Sequence, residues 1–445
     1  MKPRSFAYLS AAFALAFTLL ASGCGSDSSG QGGDKRGEGT DAKQEEVKLS
    51  FWIFENPPMV EQTKTLLKDF ESANPNIKVD LQVFPNNQYN DKLLVALGTE
   101  TGPDVLLASD RTMPMLTGKK VLAPVLPKSF GFNSLDEMKA NWIDGSLAGL
   151  AHDGQLYGIP MEFNTFSLFI NTKAFREAGL DPAKDAPKTW DDLANVAQKL
   201  TIRKDGKLVQ AGFGFPMFNG GWDLLLMDPM VRQLGGTFIK DYGDEAYFNS
   251  AQVKQVFQTW HDLYYTHKVN EVGFGTSTTA SPNQSFIDGQ VAIWISGPWA
   301  IPQITEGTPA YGNYAVVPLP QYNPDKPVTL LYSWNWAVNA ATKHPEQAWQ
   351  LVNFLSGQQT KWLESSGYIQ PRKGWMDTPE FKKFPFGDVW VKEMERGSYI
   401  LRSDKYSQLA DIAGRAVDAV MKDGASIDEA LKKAQSEAEN ALKGK

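Results

Sequence analysis

The residues in this chain best suited to chemistry are aromatic and carboxylic rather than nucleophilic. Thirteen tryptophans stand against four histidines and one cysteine. An indole joins an apolar face to a single N–H donor, so it suits a partner that is dry on one side and wet on another. Four tryptophans follow turn signals: Trp222 after Asn219-Gly220-Gly221, Trp299 after Gly297-Pro298, and Trp334 and Trp336 on either side of Asn335. Turn-borne aromatics are candidates for a pocket wall. Trp52, near the end of an apolar run, reads equally as wall or core. Trp190, Trp260, Trp294, Trp349 and Trp362 fall in apolar strand or helix patterns and read as core. Glu55, Asp110, Arg111, Asn335 and Arg372 are the polar groups that could work beside the indoles. A charged partner makes a hydrogen bond contribute ~1.5–3 kcal/mol, against ~1 for a neutral one.

Other chemistries are poorly served. His261 and His267 are six apart and so lie on different helix faces. One cysteine rules out a disulfide framework and any multi-cysteine metal site. No G-x-S-x-G, H-E-x-x-H or phosphate-loop pattern occurs, and Gly273-Phe274-Gly275 lacks the third glycine of a dinucleotide fingerprint. We expect no cofactor and no metal. The net charge of −7, without a Lys/Arg block, argues against a nucleic-acid partner. The 51 carboxylates leave a glycosidase pair open.

The elements that must hold these residues are legible. Leu49 to Phe54 is a buried strand, broken by Pro57-Pro58. A helix on Val60, Thr63, Leu66, Leu67 and Phe70 follows, ended by Asn74-Pro75-Asn76. Ile77, Val79, Leu81 and Val83 alternate as a strand. A helix from about Tyr89 to Gly98 and a strand at Asp104–Ala108 complete the unit. Strand–helix–strand–helix–strand implies parallel pairing. Ligands of open α/β sheets sit beyond the strand C-termini, which singles out Glu55, Asn56, Asp110 and Arg111. Farther on, Leu168–Ile170 and Val291–Ile295 are strands, and helices start at Thr189 and Ala251. The last third is helical, with a capping box at Ser426-Ile427-Asp428-Glu429.

The amino terminus reads as an address. Lys2 and Arg4 precede an apolar run from Phe6 to Leu20, then small residues and Cys24. That is a secretory signal peptide over residues 1–23. Cys24 resembles the lipidated cysteine of a bacterial lipobox, although Ala21 stands where leucine is commonest. The Gly/Ser/charge-rich stretch through residue 47 reads as a flexible tether with a reach of roughly 25 Å. The body then works outside the cell, beside a membrane it does not cross.

Several segments in order resemble the extracellular solute-binding proteins of family 1. They are Phe70-Glu71-Ser72-Ala73-Asn74-Pro75-Asn76-Ile77-Lys78-Val79, Gly102-Pro103-Asp104-Val105 and Leu156-Tyr157-Gly158-Ile159-Pro160. Pro187-Lys188-Thr189-Trp190 and Phe286-Ile287-Asp288-Gly289 leading to Gly297-Pro298-Trp299 follow, then Val317-Pro318-Leu319-Pro320 and His344-Pro345-Glu346. The resemblance implies an α/β fold of two lobes, periplasmic-binding-protein-like, with several hinge crossings. Its expected lobes are 48–160 with 328–383, and 161–327 with 384–445. It implies a monomeric carrier of a mono- or oligosaccharide, serving ABC-transporter permease subunits, with no catalysis. In maltose-binding members an Asp-Arg pair grips sugar hydroxyls where Asp110-Arg111 stands. A ligand-binding Glu lies where this chain has Asn164, and a sugar-stacking aromatic matches Trp299. The expected ligand set is Trp52, Glu55, Asp110, Arg111, Asn164, Trp222, Trp299, Trp334, Asn335, Trp336 and Arg372. A phosphodiester, polyamine or metal-chelate ligand, or a surface glycoside hydrolase, stays open at this point.

Overall fold

A computed structural model of the chain describes residues 46–99, 101–143, 145–214, 220–240, 242–274 and 283–444. The leader, Cys24 and most of the expected tether lie outside the described residues.

The first unit forms as its pattern requires. Strand β1 (Val47–Phe54) pairs in parallel with β2 (Ile77–Phe84) and with β3 (Val105–Ser109). Helices α1 (Pro57–Ala73) and α2 (Asn86–Gly98) make the crossovers. Pro57-Pro58 opens α1 instead of standing apart from it. Asn56 caps the helix, accepting from the Met59 N–H, and a proline in the first turn gives up only an N–H that has no helical partner. The strand Trp334–Val338 adds antiparallel to β3, and Ile159–Pro160 adds beyond it, giving five strands. Asp104 accepts from the Ser50 N–H and hydroxyl, both at 2.8 Å, and from Thr342 Oγ1 at 2.6 Å. It thereby ties β1 and the loop after Val338 to the start of β3.

A second, three-stranded antiparallel sheet has Ser167–Asn171 between Ile293–Ser296 and Tyr314–Val317. Each sheet has its own core. Phe51, Phe70, Leu107, Trp142, Trp336, Trp349 and Trp362 fill the first. Leu168, Trp190, Phe257, Trp260 and the face Leu409-Ile412-Ala416-Val420 fill the second. A third cluster around Trp294, Phe169 and Trp390 covers the other side of the second sheet. Phe381 belongs to that cluster, ahead of the expected return to the second lobe at residue 384.

Segments 161–166 and 329–333 join the lobes, segment 367–371 runs beside them, and the three are bonded to one another. The Phe163 N–H donates to Ile369 O at 2.6 Å, and Asn164 and Tyr332 exchange backbone bonds at 2.9 and 3.1 Å. Thr165 and Thr329 share a hydroxyl contact of 3.1 Å. Adjacent, mutually bonded crossings form a hinge, because rotation there costs few core contacts.

Candidate functional site

The site is built where the crossings meet the carboxyl ends of the first sheet. Asp110 follows β3, and its backbone N–H donates to Ser333 O at 3.0 Å. Its carboxylate accepts from the Ser333 N–H at 2.6 Å, lies 2.6 Å from Ser333 Oγ, and accepts from Asn335 Nδ2 at 3.1 Å. The Asn335 amide also donates to Ala108 O at 3.0 Å. A carboxylate offers about four lone-pair positions, so Asp110 keeps about one for anything else. Burial pushes its carboxyl above the usual range, and these bonds and the Arg402 charge pull it partly back.

Glu162 supplies a second acid. It is 3% exposed and sits on the first crossing. Burial pushes it up to about 8, the Asn164 and Trp334 hydrogen bonds work against that, and the Asp110 charge adds to it. Asn164, expected as a direct ligand contact, is fully buried, and its amide donates to Glu162. A carboxylate is thus present on this segment, two residues before the position the resemblance marks. Tyr332 and Tyr368 feel the Glu162 charge, and burial holds both hydroxyls far above their usual range, so each stays an O–H donor. Arg111 adds positive charge near Tyr332 and Tyr406. Arg402 lies 4.6 Å over the Tyr399 ring, and Tyr399 touches Phe163 with centroids 5.8 Å apart.

Above this floor is an aromatic group. Phe166 stacks on Tyr332 at 5.5 Å, meets Trp299 edge-on at 5.8 Å and Trp222 at 6.1 Å. Trp299 also meets Tyr332 edge-on at 5.8 Å. Phe166 and Tyr332 are buried, whereas Trp222 and Trp299 keep part of their surface open. Gly297 is the reason Trp299 fits: a Cβ there would stand 1.7 Å from Trp299 Cζ3. Trp334 belongs to a second aromatic group on the first lobe, packed on Phe54 at 4.4 Å and Tyr89 at 6.2 Å. Trp52 lies beside that group, 4.6 Å from Phe84.

The expected set therefore divides. Asp110, Arg111, Asn164 and Asn335 come together at the floor, and Trp222 and Trp299 come together above it. Trp336 does not join them. It is 1% exposed and packs on Trp362 at 6.0 Å. Residues two apart on a strand share a face, but Trp334 stands opposite Ser109 at the end of the sheet, whereas Trp336 stands opposite Leu107, inside the core. Asn335 is fully buried and braces Asp110. Arg372 lies 3.9 Å over the Trp142 ring and donates to Ser356 Oγ at 3.3 Å, contacts that belong to the first lobe's own packing. Its guanidinium is lowered by burial to about 10. Glu55 is exposed at the end of β1. Glu162, Phe166, Tyr332, Tyr399 and Arg402 were missed. The one available signal was Glu162, a lone acid in the run Ile159-Pro160-Met161-Glu162-Phe163. Among the described residues no cluster of three metal-ligating side chains occurs.

Known proteins resemble this chain over most of its length. The family of bacterial extracellular solute-binding proteins matches residues 56–362. A probable ABC transporter-binding protein of Deinococcus radiodurans is 27% identical over 293 residues, 63% of this chain and 67% of that protein. A maltotriose-binding protein of Pyrococcus abyssi is 20% identical over 411 residues, 89% of this chain and 83% of that one. Among solved structures, a solute binding protein of an ABC transporter from Thermotoga lettingae, bound with alpha-D-tagatose, shares the fold. Its TM-score is 0.78 at 23% identity, covering 89% of this chain and 100% of that one. With a family match over more than half its length and two hinged α/β lobes, the chain belongs to the bacterial extracellular solute-binding proteins, and it is a binder of solutes rather than an enzyme.

Proposed function

We propose that this protein captures a mono- or oligosaccharide between its lobes and delivers it to the membrane subunits of an ABC importer. The observation that carries the reading is the pairing of half-open Trp222 and Trp299 with a floor of Asp110, Glu162 and Arg111. An indole face accepts the C–H side of a pyranose, and the acids and guanidinium take its hydroxyls. Tagatose and maltotriose, named for two of the similar proteins, are ligands of this chemistry. Trp334, with Trp52 and Glu55 on the first lobe's rim, would extend the site toward longer chains. The lobes close by rotation at the crossings, the first sheet with its core moving against the second sheet with its core. The protein acts as a monomer, held to the outer face of the cell membrane by acylated Cys24.

A thermal-shift screen of the purified protein against a panel of mono- and oligosaccharides tests the ligand class. At least one sugar raises the melting temperature and quenches tryptophan emission, and W299A abolishes both effects. A panel with no shift overturns the sugar reading. C24A moves the protein from the membrane fraction to the soluble fraction, and retention in the membrane overturns the anchor.

A further inference from the structure

The floor of the cleft contains three oxygens in a row with too few protons to join them. Ser333 Oγ lies 2.6 Å from Asp110 Oδ1 and 2.8 Å from Asn335 Oδ1. A serine hydroxyl has one hydrogen and donates one bond. Turning the Asn335 amide end for end does not help. Its nitrogen is 3.0 Å from Ala108 O, a carbonyl that only accepts, so the amide oxygen must be the atom facing Ser333. With Asp110 ionised, one of the two short oxygen contacts joins acceptor to acceptor. With a proton on Asp110 Oδ1, a chain closes: Asp110 O–H donates to Ser333 Oγ, and Ser333 O–H donates to Asn335 Oδ1. The Ser333 N–H, 2.6 Å from Asp110 Oδ2, then meets the carbonyl end of the acid.

We propose that Asp110 is held as a neutral carboxylic acid whose proton is given to Ser333, so that the cleft floor takes an uncharged, hydroxyl-bearing ligand and rejects a cationic one. The surroundings agree. Among the described residues Asp110 makes no ion pair. The groups around it are Arg111 next in the chain, Glu162 on the first crossing, Tyr332 beside Ser333, and Tyr399 and Arg402 from the segment before the helix Tyr406–Met421. Burial favours the proton on Asp110, and the Ser333 and Asn335 hydrogen bonds and Arg402 oppose it. Removing a negative charge from the floor takes away an attraction for a cation while Arg111 stays, which disfavours a polyamine. This inference rests on the solute-capture reading for its ligand class but not for its proton.

Infrared difference spectroscopy of the ligand-free, full-length protein decides it. Labelling the aspartate side-chain carboxyl with carbon-13 separates Asp110 from Glu162 and Glu393. The wild type at about pH 7 shows a labelled carboxylic-acid carbonyl band that is lost in D110N. In S333A the band moves, because the acid has lost its acceptor. S333A keeps the test decisive should D110N fail to fold. A difference spectrum with carboxylate bands only overturns the protonated state, as does a band that S333A leaves in place. A melting-temperature rise with spermidine at about pH 7 overturns the ligand class. If no sugar raises the melting temperature while the acid band is present, solute capture of sugars fails and the buried proton stands.

Discussion

Gly297 offers a direct test of how the Trp299 wall is held. A Cβ at Gly297 would lie 1.7, 2.1 and 2.4 Å from three atoms of the Trp299 ring. Real Cβ atoms never approach so closely, so in G297A the indole must swing away. It then loses its edge contacts with Phe166 and Tyr332, both at 5.8 Å. Each such contact contributes ~0.5–1.5 kcal/mol, so the variant loses about 2 kcal/mol of stability. The Gly297 backbone, at φ −119° and ψ −176°, is extended and suits any residue. In a W299A background the clash is gone, and G297A becomes neutral or stabilising by ~0.4–1 kcal/mol through the unfolded chain. The double-mutant cycle, read by urea denaturation, gives a coupling of roughly 2–3 kcal/mol. A coupling below ~0.5 kcal/mol would mean that Trp299 does not rest on Gly297, and the placement of the wall would be wrong.

Three further outcomes follow from the packing. Glu393 is fully buried, pairs with Arg396, and burial raises it to about 7. R396A should therefore cost up to ~1.4 kcal/mol more at about pH 8, where the native pair is ionised and the lone acid must take a proton, than at about pH 5, where the acid is protonated either way; equal losses at both would refute this. D110A orphans the Ser333 N–H, whereas Ser333 Oγ and Asn335 Nδ2 keep Asn335 Oδ1 and Ala108 O, so a loss of ~1–3 kcal/mol is expected in denaturant titration and an unchanged midpoint would contradict it. Gln370 is fully buried beside the crossings, with both amide atoms unpartnered among the described residues, so Q370M should raise the melting temperature; a fall would show that both ends hold partners.

Local and periodic information is one-dimensional, and this chain carries it plainly. The alternation of Ile77, Val79, Leu81 and Val83, the helical spacing of Leu66, Leu67 and Phe70, and the cap at Ser426 all stand as elements of the fold. The ordered family segments add two lobes and a hinge. What one dimension does not carry is which neighbours a side chain meets once strands and helices pack. Trp334 and Trp336 share a face of one strand, yet Trp334, opposite Ser109 at the sheet's end, meets Phe54, and Trp336, opposite Leu107, is buried on Trp362. Asn335 and Arg372 look like ligand groups because they are polar and near turns. Only the approach of Asp110 across 225 residues, and of Trp142 beneath the guanidinium, makes them braces.

The same limit applies to charge. The sequence alone supplied the parts of an aromatic-walled binding site, because residue types and local spacing suffice for that. The tertiary structure decided that Glu162 joins Asp110, that Ser333 and Asn335 consume most of the Asp110 acceptors, and that Trp299 has room to lie flat over Gly297. Burial and hydrogen-bond partners set those properties, and both come from residues hundreds of positions apart being folded into contact.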